Sequence, residues 1–149
     1  MIRLTKIFHF EMAHALYGYD GPCRNIHGHS YELEVTIGGE PLNDPSHPKH
    51  GMIMDFSDLK QIVKDQIVDR LDHSLLLNGN SPHKNIPELN KNFEKVVFTD
   101  YQPTCENMLM DFVARIKNLL PSNVSLLTLK LKETPSSYSE WHASDQKAV

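Results

Sequence analysis

The stretch Cys-Arg-Asn-Ile-His-Gly-His-Ser, residues 23–30, decides how the 149-residue chain is interpreted. Side chains alternate along an extended chain, so His27 and His29 project to the same side if this segment enters a β-strand. Gly28 between them leaves the opposite face uncrowded. Imidazoles spaced in this way can share a cation, and His14 on a neighbouring strand would supply a third ligand. Three protein ligands with one open position are typical of catalytic zinc, whereas structural zinc is usually closed by four.

Cys23 lies four residues before His27, and two roles are open to it. As a fourth ligand it would close a structural zinc site. As a thiol beside an open site it could transfer protons, because a bound zinc ion makes neighbouring acids ionise more easily. A lone His-x-His is a weak signal, and a buried cysteine is more often a small apolar packing residue. The spacing therefore indicates a metal site without fixing the role of Cys23.

Composition and charge restrict the class of protein. The chain has a formal net charge of −4, with 40% hydrophobic and 23% charged residues. This balance argues against a nucleic-acid or anionic-membrane surface, which requires clustered Lys and Arg. The sequence has no apolar run of transmembrane length and no hydrophobic signal region at its start. Two cysteines, Cys23 and Cys105, do not make a disulfide framework, so we expect a cytoplasmic protein.

Hydrophobic periodicity predicts two strands, two helices and two strands, in that order. The strands are predicted over residues 2–14, 29–38, 124–133 and 138–142. The first helix begins near Asp55 or Ser57 and the second at Thr104, which are N-capping residue types. Both helices carry apolar stripes at helical spacing: Leu59, Ile62, Val63, Ile67 and Leu71 in the first, and Leu109, Phe112, Val113, Ile116 and Leu120 in the second.

This order predicts a single α+β domain over residues 1–149. Its strands would form a four-stranded antiparallel sheet with both helices on one face. Residues 75–103 are expected to form a long, irregular connection that contains a short strand at 96–98. The tail after about residue 143 is expected to be disordered. Such a sheet has two open edges, and pairing them with other subunits would cover them.

Two further groups of side chains could carry chemistry. Asp72 beside His73 could be a proton-transfer pair, since a carboxylate holds the tautomer of an imidazole and favours its charged form. A histidine stabilised at a helix C-terminus is the alternative. Glu133 follows the apolar row of a strand and could bind the guanidine-like edge of a heterocycle, or point to solvent. Glu106 suits the positive end of the second helix in either case.

Six short motifs occur in an order that resembles a known family. They are Met12-Ala13-His14, Cys23 followed after three residues by His27-Gly28-His29, Gly51-Met52-Ile53-Met54-Asp55-Phe56, Leu71-Asp72-His73, Pro103-Thr104-Cys105-Glu106-Asn107 and Lys132-Glu133-Thr134. Each motif is weak alone. Six in register, from the first strand to about Trp141, resemble the 6-pyruvoyl-tetrahydropterin synthase / 6-carboxytetrahydropterin synthase family.

The resemblance implies the tunnelling fold, in which a ββααββ unit oligomerises into a β-barrel. Three subunits of such proteins join their sheets into a twelve-stranded barrel, and two trimers stack into a homohexamer. The active sites of this assembly lie at subunit interfaces. The open edges predicted above fit an assembly of this kind.

The resemblance also implies roles for nine residues. The metal would be zinc, bound by His14, His27 and His29. The catalytic groups would be the thiolate of Cys23 and, from a neighbouring subunit, the acid/base pair Asp72 and His73. The substrate-binding groups would be Glu133, Thr104 and Glu106, of which Glu133 anchors the pterin ring.

The family substrate is 7,8-dihydroneopterin triphosphate, whose ring is reduced at the expense of its own side chain without a redox cofactor. Three residues between Cys23 and His27 resemble the bacterial 6-carboxytetrahydropterin synthases of queuosine biosynthesis, lyases that release acetaldehyde and triphosphate. The alternative product is 6-pyruvoyl-tetrahydropterin, as in tetrahydrobiopterin-type pathways, where the animal enzymes typically have a longer spacing. The long segment 75–103 and the presence of Cys105 after Thr104 depart from the usual pattern and leave the product open.

Two other classes of protein compete with this interpretation. A cupin-like metalloenzyme would use His27, His29 and Glu34, but a cupin needs strands where two helical stripes lie, and Glu34 would face away from both histidines. A non-catalytic zinc module closed by Cys23 would leave Asp72-His73 without a role.

Overall fold

Six strands and four helices follow one another in the computed structural model, which describes residues 1–146. In chain order they are β1 (Ile2–His14), β2 (His27–Gly39), α1 (Phe56–Val63), α2 (Asp69–Leu71), β3 (Ser74–Asn78), α3 (Pro87–Asn92), β4 (Val96–Thr99), α4 (Cys105–Ile116), β5 (Ser125–Thr134) and β6 (Ser137–His142). A π-helical turn, Lys64–Val68, joins α1 to α2. The strands form one sheet in the order β4-β3-β1-β2-β5-β6.

The sheet is mixed, which confirms the α+β class and corrects the predicted topology. Strands β1, β2, β5 and β6 pair antiparallel, as predicted. The prediction of four antiparallel strands is wrong in number and direction, because β3 pairs parallel to β1 and β4 pairs parallel to β3. Residues 75–103 were expected to be irregular, yet they form most of a β–α–β crossover. The short strand predicted at 96–98 is its second strand.

Alternation along β1 and β2 places one row of side chains in the core. Phe8, Phe10 and Met12 of β1 are buried, as are Tyr31 and Leu33 of β2. The ring of Phe10 stacks on Tyr31 and meets Phe112 of α4 edge to face. Helices α1 and α4 therefore cover this face, and the row from β1 ends at His14, which is itself buried.

The predicted N-caps are both present. The Asp55 carboxylate accepts a hydrogen bond from the Ser57 amide at 2.8 Å, and Thr104 Oγ1 accepts one from the Asn107 amide at 3.3 Å. Ala143–Asp145 form a 3-10 turn at the start of the predicted disordered tail, and residues 147–149 lie outside the described residues. Within residues 1–146, no helix is long and apolar enough to cross a membrane.

A π-helical turn keeps the apolar stripe of the first helical segment on one face. Leu59, Val63, Ile67 and Leu71 are spaced by four residues, and all are buried. A regular helix with 3.6 residues per turn would rotate such a row progressively off the core. The π-helical turn is wider and accommodates an extra residue, which compensates for this rotation. It also changes the directions of the local carbonyl groups. One carbonyl of this turn, that of Gln66, accepts a hydrogen bond from a guanidinium of α4.

That guanidinium belongs to Arg115, which links α4 to the π-helical turn. Its Nε donates to both carboxylate oxygens of Asp111 at 3.0 Å, and its Nη1 donates to the Gln66 carbonyl at 3.0 Å. The Tyr101 hydroxyl donates to the same Asp111 carboxylate at 2.5 Å. Burial raises the pKa of Tyr101, and the neighbouring Asp111 carboxylate raises it further. This network is therefore partly buried and internally satisfied.

We expect Arg115→Met to lower the free energy of unfolding by about 2 kcal/mol, because it removes the cation beside the Asp111 carboxylate, which keeps only the Tyr101 hydroxyl as donor, and leaves the Gln66 carbonyl without its donor. Urea denaturation followed by circular dichroism measures this difference. The control is Lys60→Met on the exposed side of α1, which should change stability by less than about 0.5 kcal/mol. Equal effects in the two variants would show that the network does not stabilise the fold.

Candidate metal centre

The register between β1 and β2 brings three imidazoles together. His14 lies opposite His27 in the ladder, and Met12 lies opposite His29. Because side chains alternate, all three imidazoles face the same side of the sheet. One nitrogen of each lies within 4.8 Å of the others. The structure thus brings together the three histidines that the sequence predicts as metal ligands.

Main-chain carbonyls determine which ring nitrogen of His14 and of His27 is available to a metal. His14 Nδ1 lies 2.8 Å from the Pro103 carbonyl, and His27 Nδ1 lies 2.8 Å from the Asn25 carbonyl. A carbonyl can only accept, so both Nδ1 atoms carry the hydrogen and both Nε2 atoms present lone pairs. Metal-binding histidines are commonly oriented by such an outer hydrogen bond.

The two lone pairs point at each other across a short gap. His14 Nε2 and His27 Nε2 are 3.1 Å apart. His29 Nε2 is buried beside them and, among residues 1–146, has no hydrogen-bond partner. Converging nitrogen lone pairs repel unless a cation lies between them, and three imidazoles fit zinc or a similar divalent ion. The donor set therefore fits a metal.

Burial favours the neutral, metal-binding form of two of these imidazoles. The His14 side chain is 2% exposed, and its burial lowers its pKa below the ordinary histidine range. Burial also lowers the pKa of His29, although the Glu133 carboxylate acts in the opposite direction. Both rings are then neutral at pH 7, and neutral imidazole is the form that binds metal.

Glu133 reaches the histidines from β5. Pairing between β5 and β6 is irregular between Lys132 and Thr134, where such bulges redirect side chains. Glu133 Oε1 lies 3.6 Å from His29 Nε2, and its Oε2 lies 4.0 Å from His14 Nε2. The sequence left open whether this carboxylate points to solvent, and the structure places it beside His14 and His29.

Tyr31 is a residue at this site that the sequence analysis missed. Its hydroxyl lies 3.3 Å from Glu133 Oε2 and donates to it. Burial, followed by the charge of Glu133, raises the pKa of Tyr31 well above its usual range, so the hydroxyl keeps its proton. Its position two residues after His29 was the available signal, because that spacing puts both on one face.

A cavity of about 260 Å³ opens beside the histidines. Its lining includes four predicted site residues besides His14, namely Cys23, Thr104, Glu106 and Glu133. Cys23 lies in a 3-10 turn, and its carbonyl accepts a hydrogen bond from the Leu16 amide at 3.0 Å. One predicted metal ligand, His14, therefore shares a cavity with the predicted thiol and ring anchor within a single chain.

Cys105 lines the same cavity but is held differently. Its thiol donates to the Leu131 carbonyl at 3.3 Å. Burial raises the pKa of Cys105, so this thiol stays protonated. It is therefore suited to packing and weak hydrogen bonding rather than to proton transfer.

Asp72 and His73 lie apart from this cavity. Asp72 Oδ2 is 3.0 Å from His73 Nδ1, and Asp72 Oδ1 accepts a hydrogen bond from the Glu11 amide at 2.9 Å. The Glu11 hydrogen bond is the main cause that lowers the pKa of Asp72. The pair lines a separate cavity of about 820 Å³, and the His73 imidazole is 77% exposed. Within one chain, neither residue lines the cavity that His14, Cys23 and Glu133 share.

Solved structures share this fold. The chain resembles 6-pyruvoyl tetrahydropterin synthase of Caenorhabditis elegans with a TM-score of 0.65 and 24% identity, over 95% of each chain. It resembles the corresponding Plasmodium falciparum protein with a TM-score of 0.70 and 20% identity, over 95% of this chain and 96% of that one. These likenesses confirm the predicted tunnelling fold. Fold and three-histidine site together define the class, a tunnelling-fold protein with a candidate metal centre.

Sequence comparison identifies the family within this class. The profile described as 6-pyruvoyl tetrahydropterin synthase matches residues 3–144. The 6-carboxy-5,6,7,8-tetrahydropterin synthase of Haemophilus influenzae is 36% identical over 143 residues, which cover 95% of this chain and 99% of that protein. The 6-pyruvoyl tetrahydrobiopterin synthase of Dictyostelium discoideum is 32% identical over 130 residues, covering 80% and 90%. The chain belongs to the 6-pyruvoyl tetrahydropterin synthase family, a family of lyase-type enzymes, as its motifs predicted.

The rival class fits the structure less well. Glu34, which a cupin-like site would need, contacts Lys132 at 3.2 Å on the opposite face of β2 from His27 and His29. The helices lie where a cupin would have strands. The cupin-like interpretation is therefore discarded.

Proposed function

We propose that the protein converts 7,8-dihydroneopterin triphosphate to 6-carboxy-5,6,7,8-tetrahydropterin and releases acetaldehyde and triphosphate, as in queuosine biosynthesis. The observation that carries the proposal is the cavity that Cys23 and Glu133 share with His14, one of three histidines whose nitrogens converge. The name of the H. influenzae relative supports the carboxy product. The D. discoideum relative keeps 6-pyruvoyl-tetrahydropterin as the alternative product.

The metal in this proposal is zinc, held by His14, His27 and His29. When bound, it would act as a Lewis acid on the substrate's side-chain hydroxyls and make the adjacent C–H bonds more acidic. Cys23 lies at the same cavity and is assigned the transfer of these protons. A non-catalytic zinc module would require Cys23 to close the site, whereas the metal-ligating cluster in the described residues contains only the three histidines.

We assign to Glu133 the binding of the pterin ring. Its carboxylate can accept two parallel N–H bonds from a guanidine-like edge, the pairing that carboxylates make with guanidinium groups. The Tyr31 hydroxyl holds one of its oxygens in place. Thr104, the N-cap of α4, and Glu106, in its first turn, line the same cavity and complete the proposed binding site.

Asp72 and His73 are assigned as an acid/base pair that acts on the substrate of a neighbouring subunit. Their separation from the metal centre within one chain and the exposure of the His73 ring support this arrangement. Strands β4 and β6 are the sheet edges through which subunits would join. The assembly we propose is a cytoplasmic homohexamer of two stacked trimers, with active sites at subunit interfaces.

A product assay tests this function. We expect zinc-loaded protein, incubated with 7,8-dihydroneopterin triphosphate under reducing, anaerobic conditions, to form 6-carboxy-5,6,7,8-tetrahydropterin and acetaldehyde, which mass spectrometry identifies. Chelator-treated protein is the control and should be inactive. 6-Pyruvoyl-tetrahydropterin as the product would select the alternative, and no turnover at full metal occupancy would reject both.

A further inference from the structure

The backbone that carries Asp72 and His73 is held in an unfavourable conformation. His73 has φ of 58°, and within residues 1–146 it is the only residue other than glycine with positive φ. Such a conformation is unfavourable for a residue with a Cβ and persists only where the surroundings enforce it. β1 supplies part of that enforcement, because the His73 amide donates to the Glu11 carbonyl at 2.6 Å. The Glu11 amide in turn donates to the Asp72 carboxylate.

Lys95 supplies the rest. Its ammonium donates to the Asp69 carbonyl at 2.8 Å and to the Asp72 carbonyl at 2.7 Å. These carbonyls belong to the end of a helix, where main-chain acceptors have no partner within the helix. The ammonium therefore ties the last turn of α2 to the residue that precedes His73.

The main chain of Lys95 is itself fixed by the crossover. Its carbonyl accepts a hydrogen bond from the Leu75 amide at 3.0 Å, and the next residue, Val96, pairs with Leu75 in the β3–β4 ladder. The side chain thus reaches from the residue before β4 back to the end of α2. It also lines the cavity of about 820 Å³ that holds Asp72 and His73.

We propose that Lys95 is a positioning residue for the Asp72–His73 pair. It holds the Asp69 and Asp72 carbonyls, which lead into His73, so the carboxylate and imidazole keep the orientation that proton transfer requires. The crossover that was expected to be an irregular connection then has a part in the reaction. This proposal rests on the proposed function of Asp72 and His73.

The test compares three variants of the full-length, zinc-loaded protein. Lys95→Met removes the ammonium but keeps much of the side chain's length, whereas Lys95→Arg keeps a donor that can reach both carbonyls. Lys91→Met, on the exposed surface of α3, is the matched control. The measurements are kcat, KM for 7,8-dihydroneopterin triphosphate, metal content and hydrogen exchange at the His73 amide.

For Lys95→Met we expect kcat to fall at least about tenfold, because small displacements of catalytic groups cost large factors in rate. KM should change by less than about twofold, metal content should not change, and the His73 amide should exchange faster. Lys95→Arg should recover most of the rate, and Lys91→Met should match the wild type. Lys95→Gln, which is too short to reach both carbonyls, replaces Lys95→Met if that variant does not fold.

Asp72→Asn separates the two ways in which the proposal can fail. If Asp72→Asn turns over at the wild-type rate, the pair has no catalytic role, and the proposals for the pair and for Lys95 both fall. If Asp72→Asn is inactive while Lys95→Met keeps its kcat and its slow exchange at His73, only the role of Lys95 is overturned. A loss of metal in Lys95→Met would overturn it as well, because the defect would then lie at the other cavity.

Discussion

Cys23→Ala is expected to keep the full metal content and to lose turnover by about 10³-fold. The ligands we propose are the three histidines, so removal of the thiol should leave metal binding intact. Turnover falls because general acid–base groups typically contribute 10² to 10⁴ in rate. Metal analysis by mass spectrometry and a steady-state assay with 7,8-dihydroneopterin triphosphate measure the two quantities on one preparation.

Cys105→Ala is the matched control for this variant, since its thiol lines the same cavity and donates only a weak hydrogen bond to the Leu131 carbonyl. We expect it to lose less than about tenfold in turnover. Loss of metal from Cys23→Ala would contradict our assignment and identify Cys23 as a ligand in a closed site. Wild-type turnover would assign proton transfer to another group.

The second large effect is expected from His27→Ala, which should abolish stoichiometric metal binding and turnover. Zinc at 100 times its dissociation constant stabilises a folded protein by about 2.7 kcal/mol. We therefore expect zinc to raise the thermal midpoint of the wild type and to leave that of His27→Ala unchanged. Differential scanning calorimetry with and without zinc measures both midpoints.

The metal-free proteins provide a sharper comparison. His14 Nε2 and His27 Nε2 lie 3.1 Å apart, so the wild type without metal brings two lone pairs together. His27→Ala removes that repulsion, and the metal-free variant should be at least as stable as the metal-free wild type. His47→Ala, in the exposed loop after β2, is the control and should respond to zinc like the wild type. A wild type that zinc does not stabilise would argue against the metal centre.

The parts of the fold that could be predicted are those with a strong period. The alternation in β1 and β2 and the stripes of α1 and α4 identified their buried faces correctly. Strand β3 was missed because Leu75, Leu76 and Leu77 form a short apolar run, and such a run does not show whether it is strand or helix. Without β3, the pairing of β4 could not be inferred, and the sheet was given four strands instead of six.

The candidate site, like the fold, could be predicted from the sequence only in part. The spacing of His27 and His29 on one strand predicted their common face, and the match of His14 to a family motif identified a third imidazole. The contact between Tyr31 and Glu133 joins residues that are distant in sequence, and it depends on the irregular pairing near Thr134. No local pattern encodes such a contact. The sequence also could not show that Lys95 would reach the end of α2, since that contact depends on the crossover.

The hydrogen bonds that orient His14 and His27 have a consequence for how this site tolerates change. Both acceptors are peptide carbonyls, those of Pro103 and Asn25, and every amino acid has one. No side-chain substitution at these two positions deletes the acceptor; only a shift in the path of the chain can do so. The path of the backbone therefore determines the tautomers of these two imidazoles. A comparison of the side chains around the site would overlook the two carbonyls that set them.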